Sequence, residues 1–383
     1  MSPLRIAIFA EFPLSALEGE VVGRGGGQGC TWLPQLARAW EHSREFDIHW
    51  GVFDRTARMP ESVRYWNQTF HKIPCPSITA SLLLGRWPHR RAAQNLIRSV
   101  RPDLIHCWGT ENLYGTALYG FAGPSILSMQ GVITAYFKTG DLKGWRWRLF
   151  RHWEPKSIQR ATVVTSESRW GLERVAEIVP NKVTRKIEYG VFPSYYDVGW
   201  TPDPKVARIL FVGGMSRLKG VDILLDMLRR HRMRSWKMVF AGGGAFAEAL
   251  RGLQDPLVEV LGVLKTDQVQ AEMAKAWALV MPSRADTSPN VVKEARVIGL
   301  PVVASPYGGH AEYVEHGTDG LMVCSDDSDA WFSALDTLGN NYALCRSMGS
   351  IRHEYFRECF RPEVTSVAFL DLYREMLVRN LET

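Results

Sequence analysis

Short runs rich in β-branched and apolar residues alternate with longer helical patterns along almost the whole chain, and they fall into two sets. Arg5–Ala10, Asp47–Phe53, Asp103–Trp108, Ser125–Met129 and Thr162–Thr165 make the first. Arg208–Val212, Lys237–Ala241, Val258–Leu261, Ala278–Met281, Pro301–Ala304 and Leu321–Val323 make the second. Helical stretches such as Trp32–Trp40, Val221–His231 and Asp267–Trp277 lie between them. A run that is apolar on both faces must be covered on both faces. Strands separated by helices are joined by right-handed crossovers, so each set predicts a doubly wound parallel sheet. A chain of 383 residues is also too long for one ordinary core. Between the sets stand Gly190-Val191-Phe192-Pro193 and Gly199-Trp200-Thr201-Pro202-Asp203-Pro204, a Pro/Gly-rich linker. The expectation is α/β, with Rossmann-like domains over about 1–200 and 201–383. Ligands of such sheets bind at the carboxyl ends of the strands, which places the expected site in a central cleft that both sheets face.

Composition narrows the class. The chain is 46% hydrophobic and 22% charged, as globular proteins are. Its six cysteines, at 30, 75, 107, 324, 345 and 359, contain no Cys-x-x-Cys pair, which argues against a zinc framework or a disulfide scaffold. The apolar run Ile6–Phe9 meets Glu11 at once and is too short for a signal peptide. The uncharged span beginning at Asn112 is broken by Pro124, Gln130 and glycines, so it does not read as a membrane span. A cytoplasmic location follows as the expectation. The net charge of +6 is uneven: Ser81–Arg160 holds 12 Lys/Arg against 4 Asp/Glu, a local +8.

The most informative segment runs from Met281 through Pro282-Ser283-Arg284-Ala285-Asp286-Thr287-Ser288-Pro289-Asn290-Val291-Val292-Lys293-Glu294. A strand ends near Met281. Ser288 is a good N-cap, and Pro289 suits the first helical position because its missing N–H costs nothing there. The N–H groups of Asn290 and Val291 are then available to an anion, with the helix dipole behind them. Asp286 precedes the helix and Glu294 lies about two turns inside it. Carboxylates so placed can accept hydrogen bonds from sugar and ribose hydroxyls while backbone N–H groups hold phosphate. Read singly, Asp286 and Glu294 are also what an ordinary cap and a surface charge look like.

With its neighbours the segment resembles the retaining glycosyltransferases of family 4, whose acidic pair E-x7-E stands here as Asp286-x7-Glu294. The family's lysine–glycine opening of the second domain corresponds to Phe211-Val212-Gly213-Gly214-Met215-Ser216-Arg217-Leu218-Lys219-Gly220, and its glycine turn and glutamate to Tyr307-Gly308-Gly309-His310-Ala311-Glu312. The resemblance covers essentially the whole second domain and, more loosely, the first. It implies the GT-B fold and transfer of a sugar, with retention, from a UDP- or GDP-linked donor to a polysaccharide or lipid-linked acceptor. Carried over by position, Glu294 binds the donor ribose, Asp286 faces the transferred sugar and Lys219 pairs with the diphosphate, supported by Ser288, Asn290 and Val291. Glu312 joins the donor site, and backbone near Val263 reads the base. The first domain's glycine pair, Gly26-Gly27, approaches the donor phosphate. No metal or other cofactor is implied, because a lysine and a helix N-terminus can stabilise the leaving diphosphate. The final helix, about 362–383, is expected to cross back to the first domain.

Three positions depart from the family pattern. Asp286 is one methylene shorter than the usual glutamate. Gly214 stands where the family has arginine, which leaves Arg217 as the group expected to reach the phosphates. Gln130-Gly131 replaces the first domain's His-Gly, and a glutamine can hydrogen-bond a sugar but cannot act as acid or base. These departures leave room for a sugar-nucleotide-binding scaffold without activity, or for an epimerase or phosphorylase on the same architecture.

The basic region has its own reading. Leu142, Trp145, Leu149 and Trp153 fall on one helical stripe within 138–160, flanked by Arg146, Arg148, Arg151 and Lys156. This pattern fits a peripheral contact with an anionic inner-membrane surface. It equally fits a helix packed on its own sheet with a solvated basic face. No nucleic-acid recognition motif accompanies the charge, so nucleic acid is not an expected partner.

Overall fold

The structure is a computed structural model and describes residues 3–18, 32–140, 142–324 and 326–381. These form two compact units, one drawn from 3–190 and 362–381, the other from 191–361. The chain passes between them at Gly190–Val191 rather than at residue 200. The reason is local packing: Val191 and Tyr195 are buried in the second core, and the Trp200 indole N–H donates to the Ala276 carbonyl at 2.8 Å.

The strands and helices of the first unit run β1 (Leu4–Phe9), α1 (Trp32–Ala39), β2 (Phe46–Asp54), β3 (Glu61–Tyr65), β4 (Gln68–Pro74), α2 (Ile78–Leu83), α3 (Trp87–Val100), β5 (Leu104–Trp108), β6 (Ser125–Met129), α4 (Ile133–Lys138), α5 (Trp145–Arg160), β7 (Val163–Ser166), α6 (Arg169–Ile178) and β8 (Thr184–Lys186). They build an eight-stranded sheet of order β3-β4-β2-β1-β5-β6-β7-β8, parallel except for the β3–β4 pair. That hairpin, absent from the sequence expectation, turns through Trp66 and Asn67, both with φ near +50°. Its strand β3 is exposed along its whole length, so it carries none of the apolar signal by which a buried strand is read.

The second unit runs β9 (Arg208–Val212), α7 (Val221–Arg230), β10 (Lys237–Ala241), α8 (Ala247–Arg251), β11 (Val258–Gly262), α9 (Thr266–Lys275), β12 (Ala278–Met281), α10 (Asn290–Ile298), β13 (Val302–Ala304), β14 (Gly320–Met322), α11 (Ser328–Gly339), α12 (Tyr342–Ser350) and α13 (His353–Cys359). Its six strands are all parallel, in the order β11-β10-β9-β12-β13-β14. The last helix, α14 (Pro362–Leu381), returns to the first unit. Phe369 and Tyr373 pack with Trp40, Trp50 and Trp108 on one face of the first sheet, and the Trp40 indole donates to the Ser366 carbonyl at 3.3 Å. Two exposed pairs, Arg374 to Glu45 and Arg185 to Glu375, lie along its flank.

Both sheets change direction once. In the first, β1 is flanked by β2 and β5; in the second, β9 is flanked by β10 and β12. At such a reversal the loops leaving adjacent strands part to opposite faces, and a ligand site opens at the carboxyl ends.

Candidate functional site

In the second unit the reversal lies between β9 and β12, and the two motifs singled out in the sequence are the loops that leave these strands. After β9 the chain turns through Gly213, Gly214 and Ser216 to Lys219-Gly220. After β12 it runs Pro282 to Asp286. Gly220 has φ +72°, and a Cβ there would collide with the Pro282 carbonyl, so the two loops touch backbone to backbone. Arg284 fixes the same contact: its N–H donates to the Leu218 carbonyl at 2.9 Å and its guanidinium to the Arg217 carbonyl at 2.6 Å. That guanidinium also grips Asp222 with two bonds, at 2.7 and 3.0 Å.

These contacts bring Lys219 and Asp286 together as an ion pair. Burial pushes the Asp286 carboxyl upward, but the Lys219 ammonium and the Ser288 N–H outweigh it and hold the group below its ordinary value. Gly308 (φ +130°) wraps the Asp286 backbone so closely that a Cβ would strike it, and the Gly309 N–H donates to the Asp286 carbonyl at 2.8 Å. The glycine turn therefore serves as a backbone clamp on the acid. His310 follows, fully buried, with neither ring nitrogen in a hydrogen bond of ordinary geometry; burial pushes its imidazole down to about 4, so it is neutral.

Helix α10 starts one residue later than expected. Pro289, not Ser288, occupies the cap position, and its carbonyl accepts from Val292 at 2.9 Å and Lys293 at 3.3 Å. The Ser288 N–H donates to the Asp286 carboxylate. The N–H groups of Asn290 and Val291 find no acceptor among the described residues. Glu294 is 5% exposed and lies one helical turn beyond Asn290, on the same helix.

The remaining expected donor residues are less concentrated. Arg217 turns to Asp222, at 3.3 Å, and its side chain is more than half exposed. Val263, in the loop after β11, is exposed and close to Gly243; Glu312, half-buried, ends the short helical turn Gly309–Glu312. Gln130 belongs to the first unit, where it follows β6. Gly26 and Gly27 lie outside the described residues. The sequence reading missed Arg284, His310 and the turn Gly242-Gly243-Gly244 after β10. Gly242 and Gly244 are held at φ +146° and +144° against the backbones of Gly213 and Met215, so this second turn shapes the first. A run of three glycines directly after an apolar strand was the signal.

The first unit has a polar set at its own reversal. Glu11 follows β1, and Thr110, Glu111 and Asn112 follow β5. The Asn112 amide donates to Glu11, and the Thr110 N–H to Glu111 at 2.7 Å. Glu154, buried on α5, accepts from the N–H groups of Ile133 and Thr134 at 2.8 and 2.7 Å and so caps α4. Burial pushes the Glu111 carboxyl up to about 7 and raises Glu11 and Glu154 as well. Beside Glu11 and Asn112 opens a cavity of about 780 Å³, walled also by Asp54, Arg55, His89 and Tyr114. No group of metal-binding side chains occurs among the described residues, and none of their helices is long and apolar enough to cross a membrane.

Comparison with known proteins places this geometry. Residues 206–341 match the family described as Glycosyl transferases group 1. The D-inositol 3-phosphate glycosyltransferase of Corynebacterium kroppenstedtii is 31% identical over 144 residues, which is 34% of this chain and 32% of that protein. The chain thus spans about a third of that relative's length. Among solved structures, sucrose-phosphate synthase of Thermosynechococcus elongatus superposes with a TM-score of 0.79 at 18% identity, covering 98% of this chain and all of the other. Anabaena HepE, solved with UDP and glucose, gives 0.67 at 17% identity, covering 97% and 99%. Residues 206–341 thus resemble the group 1 glycosyl transferases, and the two α/β units have the GT-B fold.

Proposed function

We propose that the chain is a retaining glycosyltransferase that moves a hexosyl group from a UDP- or GDP-linked donor to a polysaccharide or lipid-linked acceptor, without a metal, at the cytoplasmic face of the cell. The observation that carries the reading is the Lys219–Asp286 pair at the reversal of the second sheet, beside the open N–H groups of Asn290 and Val291. A nucleoside diphosphate brings two phosphates to that point. Lys219 is drawn from Asp286 to the phosphates, and Asp286 is freed to accept hydrogen bonds from the transferred sugar. As the sugar–phosphate bond breaks, negative charge grows on the leaving oxygen, where Lys219 and the α10 dipole stabilise it. Glu294 takes the ribose hydroxyls, Arg217 and Glu312 flank the donor, and backbone near Val263 meets the base. Gln130 is assigned to the sugar by its motif position and acts only as a hydrogen-bonding group. The cavity beside Glu11 and Asn112 is proposed to receive the acceptor. The family match and the UDP complex of Anabaena HepE support the choice of donor class.

A thermal-shift panel of UDP, GDP, ADP and their sugars on wild type and Glu294→Ala tests this reading. A donor at 100 times its Kd stabilises by about 2.7 kcal/mol, which is readily seen in Tm. One nucleotide series should stabilise wild type and not the variant. Equal stabilisation of both would remove Glu294 from the site, and binding without any release of free nucleotide would favour a sugar-nucleotide-binding protein.

A further inference from the structure

The apolar stripe read along 138–160 does not lie open. Leu142, Trp147 and Leu149 pack with Phe150 against Ile78 and Leu82 of α2, and the Trp153 ring carries Arg86 at 3.7 Å and Lys156 at 4.3 Å. Only Trp145 of the stripe is well exposed. Next to it, the elbow between α2 and α3 turns three large apolar side chains to solvent: Leu83 is 73% exposed, Leu84 61% and Trp87 57%. This elbow is not a frayed loop. Gly85 and Arg86 both take left-handed φ, and the Arg86 N–H donates to the Ser81 carbonyl at 2.7 Å. The Arg86 side chain then turns inward between Trp153 and Tyr119, which pins the elbow to α5.

Around the exposed leucines the charge is one-sided. Arg90, Arg91, Arg148 and Arg160 make no ion pair with a carboxylate among the described residues. Arg90 and Arg160 instead stand over the Tyr119 ring, and Arg91 over Trp87. Two leucines and a tryptophan held out in water by an ordered turn gain nothing for the fold. Set within unneutralised arginines, they match a surface that is apolar below and negatively charged above, which is the interface of an anionic bilayer.

We propose that the α2–α3 elbow, Leu83–Trp87, is a membrane-docking device: Leu83, Leu84 and Trp87 enter the interface of an anionic phospholipid bilayer while Arg90, Arg91 and Arg148 meet its headgroups. The proposal concerns lipid alone and stands whether or not the donor assignment above is correct. Flotation of the full chain with phosphatidylcholine vesicles, and with vesicles containing about 30% phosphatidylglycerol to give a negative surface potential, tests it. Wild type should float with the anionic vesicles only. Raising salt to about 0.5 M should weaken the binding, because the Debye length shortens. Leu83→Asp/Leu84→Asp should weaken it at least tenfold, with an unchanged Tm as the control for folding, whereas Trp145→Ala should matter less. Failure of wild type to float, or equal flotation of the double variant, overturns the proposal. So does a wild-type dimer in sedimentation that the double variant converts to monomer, since the elbow would then be a contact between copies of the chain.

Discussion

The two sheets reverse direction in the same way and place carboxylates at the same point, yet the two sets of acids behave oppositely. At the reversal of the second sheet, Asp286 is largely buried and still held below its ordinary proton affinity. At the reversal of the first, Glu111 is pushed up to about 7. Desolvation is the largest influence on both and raises both. The difference is the partner: Asp286 has the Lys219 ammonium, whereas Glu111 has backbone N–H groups and two further carboxylates, Glu11 and Glu154, that raise it more. One fold element therefore supplies a fixed anion in one unit and a carboxyl that carries a proton near neutrality in the other. A site poised for a diphosphate needs its cation in place and its acid charged. A cavity that takes neutral hydroxyls is served by acids that can both donate and accept.

The largest expected effect removes what distinguishes the two. In Lys219→Ala, Asp286 should become like Glu111, its carboxyl rising above the ordinary carboxylate range. Release of nucleotide from the donor should fall by about 10²–10³-fold, as for loss of one transition-state donor. A single-turnover nucleotide-release assay measures it. A loss below threefold would mean that Lys219 is not the group on the leaving diphosphate.

The next effect is on stability against pH. Glu111 binds its proton more tightly when folded than its ordinary value of 4.5 allows, so its contribution is fully present below about 4.5 and is lost as pH rises through about 7. His310 is the reverse. Pushed from 6.5 down to about 4, it contributes stability above about 6.5 that is lost as pH falls through about 4. Glu111→Gln should flatten the fall of stability between pH 4.5 and 7, a slope of at most about 1.4 kcal/mol per pH unit for one proton. Urea denaturation at a series of pH values checks this. An unchanged slope in the variant would show that Glu111 does not titrate near 7.

A smaller effect concerns how the second site is held rather than what it carries. Arg284→Ala removes the two bonds to Asp222 and the bond to the Arg217 carbonyl that tie the β9 and β12 loops. The pair is only partly buried, so a loss of about 1–2 kcal/mol is expected, a drop of a few degrees in Tm. Donor affinity should weaken while the Asp286 carboxyl stays low, because Lys219 remains. Loss of donor binding without loss of stability would instead make Arg284 a direct ligand of the donor.

The contrast between the regions extends to how well each can be read from sequence. At the second site the requirements are on the backbone, and backbone requirements have a letter code: Gly220 and Gly308 where a Cβ would collide, Pro289 where a helix begins. The helix start at Pro289 brought Asp286 into view before any coordinates, and the family resemblance of the lysine–glycine pair brought in Lys219. The start of α10 differs by one residue from that reading, since Pro289 and not Ser288 has the cap position. At the first site the decisive quantity is desolvation, which depends on contacts distant in sequence, such as Glu154 of α5 reaching the N–H groups of α4. No spacing rule around Glu111 contains that. The α5 stripe, which fitted either a membrane contact or a packed face, shows the same limit. Its periodicity was real, but periodicity says that a face is apolar and not what covers it, and α2 covers this one.

The smallest predicted effect separates burial from the Glu11 charge among the causes that raise Glu111. The Glu11 charge adds to burial in raising it, but burial is the larger cause. In Glu11→Gln the Glu111 carboxyl should therefore fall from about 7 and still remain above the ordinary carboxylate range, read by following the side-chain carboxyl carbon in NMR against pH. The Asn112 amide, which now donates to Glu11, keeps an acceptor in the glutamine oxygen, so the local hydrogen bonding survives the change. If Glu111 fell all the way to its ordinary value, mutual repulsion of the acids would be the dominant cause. The first site would then differ from the second by an extra negative charge and not by the absence of a cation.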